Sequence, residues 1–324
     1  MNRPFLHLTT LTAGLLSVTP ALAQQTGSQN YPNRPLRMIA PSSAGGPVDV
    51  IARAICVSLA DRLGQQIVVD NRAGAAGLIG AEIVAKAAPD GHTLWLATLT
   101  QLISTTLNQR NQMAKEFVPV GLFAGTAFAI AIHSALPAQT LGEFIALAKA
   151  KPGMMYGSAG QGTSSHLCME LAMSMAGIKL MHVPYKGSVG AMVDMAGGQV
   201  HVSCQALPAY PTYVKTGRVR VLAVTTAKRS RFAPDLPLVA DTLPGYELLG
   251  WYGLLAPLKT PPELIRKINA EATRIANLPD IQEKLIAAGA EAMPSAPQEF
   301  AKLLAHETAK WSKVLREANI RPAE

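Results

Sequence analysis

An α/β fold is predicted for this chain, on three observations. Short β-branched or apolar runs alternate with segments of helical periodicity along nearly its whole length. Two of the strand-to-helix junctions, more than a hundred residues apart, share a glycine- and serine-rich build. The 324 residues, 49% hydrophobic and only 15% charged, suffice for a large core divided over two domains. Alternation of this kind implies a mostly parallel sheet covered by helices.

Taken in order, a strand over Leu36–Ala40 runs into the first junction, Pro41-Ser42-Ser43-Ala44-Gly45-Gly46-Pro47-Val48-Asp49, and then into an apolar helical stretch over 50–63. Strand patterns follow at 67–69 and 93–98, with a helix at 78–88 between them, and then strands at 118–123 and 127–133 and a helix at 141–150. A strand at 155–157 leads into the second junction, Gly157-Ser158-Ala159-Gly160-Gln161-Gly162-Thr163-Ser164-Ser165-His166, and a helix over 167–176. Each junction sets hydroxyls and backbone N–H groups at a helix N-terminus, where a carboxylate or phosphate is favoured without any cationic side chain. Two such cradles, one per domain, read as the walls of a cleft; ordinary Ser/Thr-capped glycine turns account for the same residues. The pattern continues with strands at 179–184, 200–205 and 219–225, a helix at 189–197, and an apolar run at 246–257. Three helices close the chain at 263–277, 281–288 and 297–318, the first opened by Pro261-Pro262-Glu263, which is good helix-start chemistry.

The first residues carry Arg3, an apolar run over 11–18 and Ala21-Leu22-Ala23, the pattern of a secretory signal peptide cleaved after Ala23, so 1–23 is excluded from the fold and an exported protein is expected. No later stretch is apolar enough to span a membrane. The formal charge of +8 becomes +7 without 1–23, because Arg3 is that segment's one charged residue. The basic residues are scattered and aromatics make up 5%, which argues against nucleic acid and for a modest field that collects anionic solutes. Cys56, Cys168 and Cys204 form no CxxC pair, so neither a metal site nor a redox centre is indicated, and at least one thiol stays free unless it pairs between chains.

Catalytic motifs fail when checked. Gly74-Ala75-Ala76-Gly77-Leu78-Ile79-Gly80 has GxxGxxG spacing with no acid closing a second strand, and neither GxSxG, HExxH nor a lysine-bearing P-loop occurs, so no catalytic residue and no cofactor is assigned. Ser164, Ser165 and His166 are sequence neighbours, which does not make a Ser–His pair; His166 either orients its turn or contacts an anion.

From about Tyr31 onward the chain resembles the Bug family of periplasmic solute-binding proteins, which serve tripartite tricarboxylate transporters. The resemblance rests on Pro32-Asn33-Arg34-Pro35-Leu36-Arg37, the loop and helix over 41–53, Pro89-Asp90-Gly91, Lys149-Ala150-Lys151-Pro152-Gly153, Tyr156-Gly157-Ser158, His182-Val183-Pro184-Tyr185-Lys186-Gly187, Pro234-Asp235-Leu236-Pro237 and Trp251-Tyr252-Gly253-Leu254-Leu255-Ala256-Pro257, in that order. It implies a type II periplasmic binding protein, with two α/β lobes joined by two crossing strands: lobe I at 31–125 plus 250–324, lobe II at 126–249, and a ligand closed between them. It also implies a monomer that passes a small carboxylate to one large and one small membrane subunit. The implied ligand-binding residues are Ser42, Ser43, Ala44, Gly45, Gly46, Val48 and Asp49 in lobe I and Gly157, Ser158, Ala159, Gly160, Gly162, Thr163, Ser164 and His166 in lobe II. Thr98 and Thr100, on the loop after the third strand, and Tyr185 and Gln205 complete the walls. Asp49 serves equally as a helix cap, and Tyr185 as interior packing. Where the family usually has an aromatic residue this chain has Ser42, where it has Gly-Thr this chain has Pro47-Val48, and Gln205 stands where many relatives carry an acid. These departures leave room for a larger dicarboxylate or tricarboxylate, an aromatic one such as terephthalate included, and weaken the case for an amino group. A binding protein that presents its ligand to a signalling receptor, and an α/β hydrolase using Ser164 or Ser165, are the other classes left open.

Overall fold

The computed structural model describes residues 30–110, 112–229 and 233–322. The expected signal peptide and its cleavage after Ala23 lie outside the described residues. One compact unit spans Pro32–Glu324.

The first half begins with β1 (Leu36–Ala40), α1 (Pro47–Leu63), β2 (Ile67–Asn71), α2 (Leu78–Ala85) and β3 (Thr93–Thr98), followed by α3 (Leu99–Asn108) and the short α4 (Met113–Glu116). A 17-residue strand, β4 (Phe117–His133), then leaves this sheet and enters the next. The second half carries α5 (Leu141–Ala150), β5 (Met155–Ser158), α6 (Ser164–Ala176), β6 (Met181–Pro184), α7 (Ser188–Ala196), β7 (Val202–Ala206), α8 (Pro211–Lys215), β8 (Val219–Val224) and α9 (Val239–Thr242). The chain returns through β9 (Leu249–Pro257) to α10 (Pro262–Ala276), α11 (Pro279–Ala287), β10 (Glu291–Ala292) and α12 (Pro297–Glu317).

The predicted mostly parallel sheet is a mixed one. β1 pairs in parallel with β2 and β3, and β5 with β6 and β7, each trio flanked by helices as βαβ units require. Antiparallel strands close both trios: β9 lies between β3 and β4, while β4 pairs further along with β7 and β8. The strands expected at 118–123 and 127–133 are therefore one, whose Phe117–Ala127 part pairs with β9 and whose Phe128–His133 part belongs to the second sheet. Glycines at 121 and 125 do not break it. Their absent side chains admit Asn269 and Met293, which a Cβ would meet at 2.5 and 2.3 Å.

Where the two crossings lie side by side, Thr225 fastens them. Its N–H donates to the Phe128 carbonyl (3.0 Å), its Oγ1 accepts the Phe128 N–H (3.2 Å) and donates to the Leu248 carbonyl (2.8 Å), and its own carbonyl accepts the Leu248 N–H (2.8 Å). Thr225 is fully buried, so these bonds replace water for groups that would otherwise be orphaned.

The segment from Leu99 was expected to be a loop, and it is α3. Thr98 and Gln101 form a capping box, with the Thr98 N–H on Gln101 Oε1 (3.0 Å) and the Thr100 N–H on Thr98 Oγ1 (3.3 Å). Its three threonines give it a low intrinsic helix propensity, and burial of Leu99, Leu102 and Ile103 against the core overrides it.

Candidate functional site

A cavity of about 580 Å³ opens between the two sheets. First-turn residues of four helices line it: Pro47 and Val48 of α1, Thr100 and Gln101 of α3, Ser164 and Ser165 of α6, and Ser188 and Val189 of α7. Each contributes the positive end of its dipole. Among the described lining residues there is no Asp, Glu, Lys, Arg or His. The remaining wall is largely apolar, formed by Phe128, Met192, Ala206, Tyr213 and Tyr252.

The first junction divides between wall and anchor. Ser42 and Val48 reach the cavity, whereas Ser43, Ala44, Gly45 and Gly46 are not part of its lining. Gly45 takes φ +80°, which turns its N–H onto Asp49 Oδ2 (2.8 Å). Asp49 is buried and also accepts from Arg53 Nε (2.9 Å) and Asn71 Nδ2 (2.9 Å); the Arg53 hydrogen bond above all holds its carboxyl down at about 2. Its side chain thus ties α1 to β2 from behind the loop; it neither lines the cavity nor caps α1, whose N-cap is Gly46. Ser42 Oγ is different: it is buried at the cavity wall and has no hydrogen-bond partner.

The second junction brings Ala159, Thr163 and Ser164 to the cavity and keeps Gly157, Ser158, Gly160, Gly162 and His166 behind them. Its backbone donors, expected to be unpaired, are largely taken by the loop's own side chains. The Ala159 N–H bonds Ser165 Oγ (2.7 Å), the Gly160 N–H bonds Ser158 Oγ (3.1 Å), the Gly162 N–H bonds His166 Nδ1 (3.1 Å), and the His166 N–H bonds the cap Thr163 Oγ1 (3.4 Å). Gly160 and Gly162 have φ of +130° and +71°, the conformations that let a loop fold back on itself this tightly. The Ser164 N–H is directed at Thr100 Oγ1 (3.4 Å), and the two hydroxyls meet at 2.9 Å.

Thr98, Thr100 and Gln205 line the cavity. Gln205 is 2% exposed, and its Nε2 donates to Ser203 Oγ (3.0 Å), which itself donates to the Gly157 carbonyl (2.7 Å). Tyr185 faces away: its hydroxyl donates to Asp194 Oδ2 (2.6 Å), and burial, with that carboxylate, pushes it up to about 12. The apolar wall and the α7 terminus escaped sequence reading, since Phe128, Met192 and Tyr213 sit in patterns indistinguishable from core packing. A disulfide also escaped it: Cys168 of α6 and Cys204 of β7 are joined, with Cα atoms 6.1 Å apart, while Cys56 is a buried free thiol.

Neither Ser164 nor Ser165, the two candidate nucleophiles, has a histidine on its hydroxyl. Ser164 bonds Thr100 and Ser165 bonds Ala159, while the His166 ring is engaged by Gly162 and lies 3.5 Å from Glu170. No helix among the described residues is long and apolar enough to cross a membrane.

Comparison with known proteins adds four likenesses to this geometry. The family described as "Tripartite tricarboxylate transporter family receptor" matches residues 51–320. Protein BugT of Bordetella pertussis is 32% identical over 310 residues, covering 94% of this chain and 95% of that protein. Among solved structures, R. palustris Rpa4515 with adipate superposes with a TM-score of 0.80 at 34% identity over 90% of this chain and 100% of that one. MatC from Rhodopseudomonas palustris with bound malate does so at 0.76 and 29%, over 88% and 100%.

Proposed function

The chain belongs to the tripartite tricarboxylate transporter receptor family, a family of periplasmic solute-binding proteins and not of enzymes, and from that premise we propose that it captures a small organic carboxylate in the periplasm and delivers it to a membrane transporter. The observation that carries the reading is the convergence of four helix N-termini on one cavity free of charged side chains. Such a site favours an anion through dipoles and hydroxyl donors, and it offers no carboxylate to balance a ligand ammonium group. Relatives that carry adipate and malate support the same ligand class. The apolar wall suits a dicarboxylate with a hydrocarbon or aromatic body, terephthalate among them.

In this reading lobe I, 31–125 plus 250–324, and lobe II, 126–249, close on the ligand about the crossings at 125–126 and 249–250. The ligand-binding residues are Ser42, Val48, Thr98, Thr100, Ala159, Thr163, Ser164 and Gln205, supported from behind by Asp49 and the glycines of both loops. The closed monomer then presents both lobes to one large and one small membrane subunit. Calorimetric titration with a series of carboxylates and their amides tests the proposal. A carboxylate should bind at least about tenfold more tightly than its amide, because each charge-assisted hydrogen bond lost is worth about 1.5–3 kcal/mol. Equal affinities would overturn it.

A further inference from the structure

Behind the second loop lies a stack of rings that the binding reading does not use. His166 and His182 are parallel with centroids 4.0 Å apart, and the Tyr156 ring lies nearly parallel to both, 4.7 Å from His182 and 6.2 Å from His166. Both histidines end on the loop. His166 Nδ1 accepts the Gly162 N–H, and His182 Nε2 meets Ser158 Oγ at 2.6 Å, the same oxygen that holds the Gly160 N–H. We propose that His166 and His182 are positioning residues that keep the 158–162 loop in shape only while both rings are uncharged, so that acidification loosens this wall of the cavity and weakens ligand capture.

The hydrogen bonds fix the protonation state. An N–H donated to His166 Nδ1 requires that nitrogen to be bare, so the ring proton sits on Nε2, which faces Glu170 Oε1 at 3.5 Å. A second proton has to go onto Nδ1, where it would oppose the Gly162 N–H and break that contact. Charging His182 as well would place two cations face to face. The other titratable or charged groups around the pair are few. Tyr156 of β5 donates to Glu170 of α6 (2.5 Å), and the hollow beside Glu170 is edged by Lys179 and by Glu317 of α12. Burial alone would raise Glu170, but bonds from His166 and Tyr156 outweigh it and keep its carboxyl below the ordinary range. Burial, then His166, pushes His182 down to about 4, in the direction the stack demands.

The test reads the loop directly. Nitrogen-15 spectra of the full chain should show the Nε2–H tautomer at His166 near neutral pH. The Gly162 amide, corrected for intrinsic exchange, should lose protection by about tenfold or more between about pH 7 and about pH 4 while the fold persists. In His166→Asn the amide oxygen can accept the same N–H and cannot titrate, so that loss should shrink to about twofold or less. An Nδ1–H tautomer, or equal losses in both proteins, would overturn the proposal; should the variant fail to fold, the tautomer and the wild-type profile decide it. The link to capture rests on the proposed function and is read separately with adipate as probe: its dissociation constant should rise on acidification more steeply in wild type than in His166→Asn, where protonation of adipate itself sets the rise, and equal slopes would break the link. Failure of any carboxylate to bind would remove that function and leave the loop result standing.

Discussion

Thr100 and Ser164 join hydroxyls at 2.9 Å across the cavity, 64 residues apart in sequence and each in the first turn of a helix from a different half of the fold. With the Ser164 N–H directed at the same Thr100 oxygen, the contact is a two-point latch between the walls, set where a ligand would sit. A bound carboxylate can replace it with stronger, charge-assisted bonds, whereas an empty cavity has only this neutral bond to hold the walls together.

The latch predicts that Thr100→Val and Ser164→Ala shift the ligand-free protein toward an open form. Solution scattering should show a larger radius of gyration for each variant, with no further increase in the double variant. A stability cycle on the pair should give a coupling of about 0.5–1.5 kcal/mol, the net worth of one hydrogen bond. Unchanged scattering would mean that other contacts hold the cleft.

The disulfide between Cys168 and Cys204 closes a 36-residue separation and ties α6, whose N-terminus lines the cavity, to β7, which carries Gln205. Replacing both cysteines with alanine should cost about 3–4 kcal/mol and lower the melting temperature by roughly 5–7 °C. Thiol titration of the native wild type should find Cys56 nearly inert, because burial pushes its thiol up to about 12 and leaves little thiolate to react.

Much of this was legible in the sequence, and the illegible parts have physical reasons. The strand over Leu36–Ala40 and the two strand-to-helix junctions could be read because short apolar runs and turn glycines act locally, whereas the helix after the second junction starts at Ser164, three residues before the expected 167. Whether a loop's donors face a ligand or its own side chains depends on partners such as Asp49 and His166, four residues away on a helix face, and no spacing rule separates those outcomes. α3 was missed because tertiary burial outweighs a threonine-rich composition, and β4 was split at 123–127 although its pairing with β9 runs on through Gly125.

Thr225→Val keeps the shape of the side chain and removes the hydroxyl that bonds both crossings. It leaves the buried Phe128 N–H and Leu248 carbonyl each short of a partner, so a loss of about 1–3 kcal/mol is expected in denaturant unfolding. Because the lost bonds lie where the strands cross, ligand-induced closure should change along with stability. A loss of stability with unaltered scattering changes on ligand addition would place the bending elsewhere.

Asp49 sets an acid limit. Its folded carboxyl titrates at about 2 against an ordinary 3.8, so its contribution is fully present above the ordinary value and is lost as pH falls through the folded one. Asp49→Asn should therefore be less stable than wild type at neutral pH, with a gap that narrows steadily between about pH 4 and about pH 2. A gap independent of pH would show that the residue acts through hydrogen-bond geometry and not through its charge.

Ser42 supplies the sharpest separation between stability and binding. Its Oγ is buried without a partner at the cavity wall, a cost to the empty protein that only a ligand acceptor would relieve. Ser42→Ala removes that orphan, so the ligand-free melting temperature should hold or rise. Carboxylate affinity should fall by about tenfold, since a charge-assisted bond of about 1.5–3 kcal/mol is lost. The opposite sign of the two effects is what a structural role cannot reproduce: a hydroxyl that merely stabilised the loop would lower both together, and paired melting and titration measurements on this one variant decide between them.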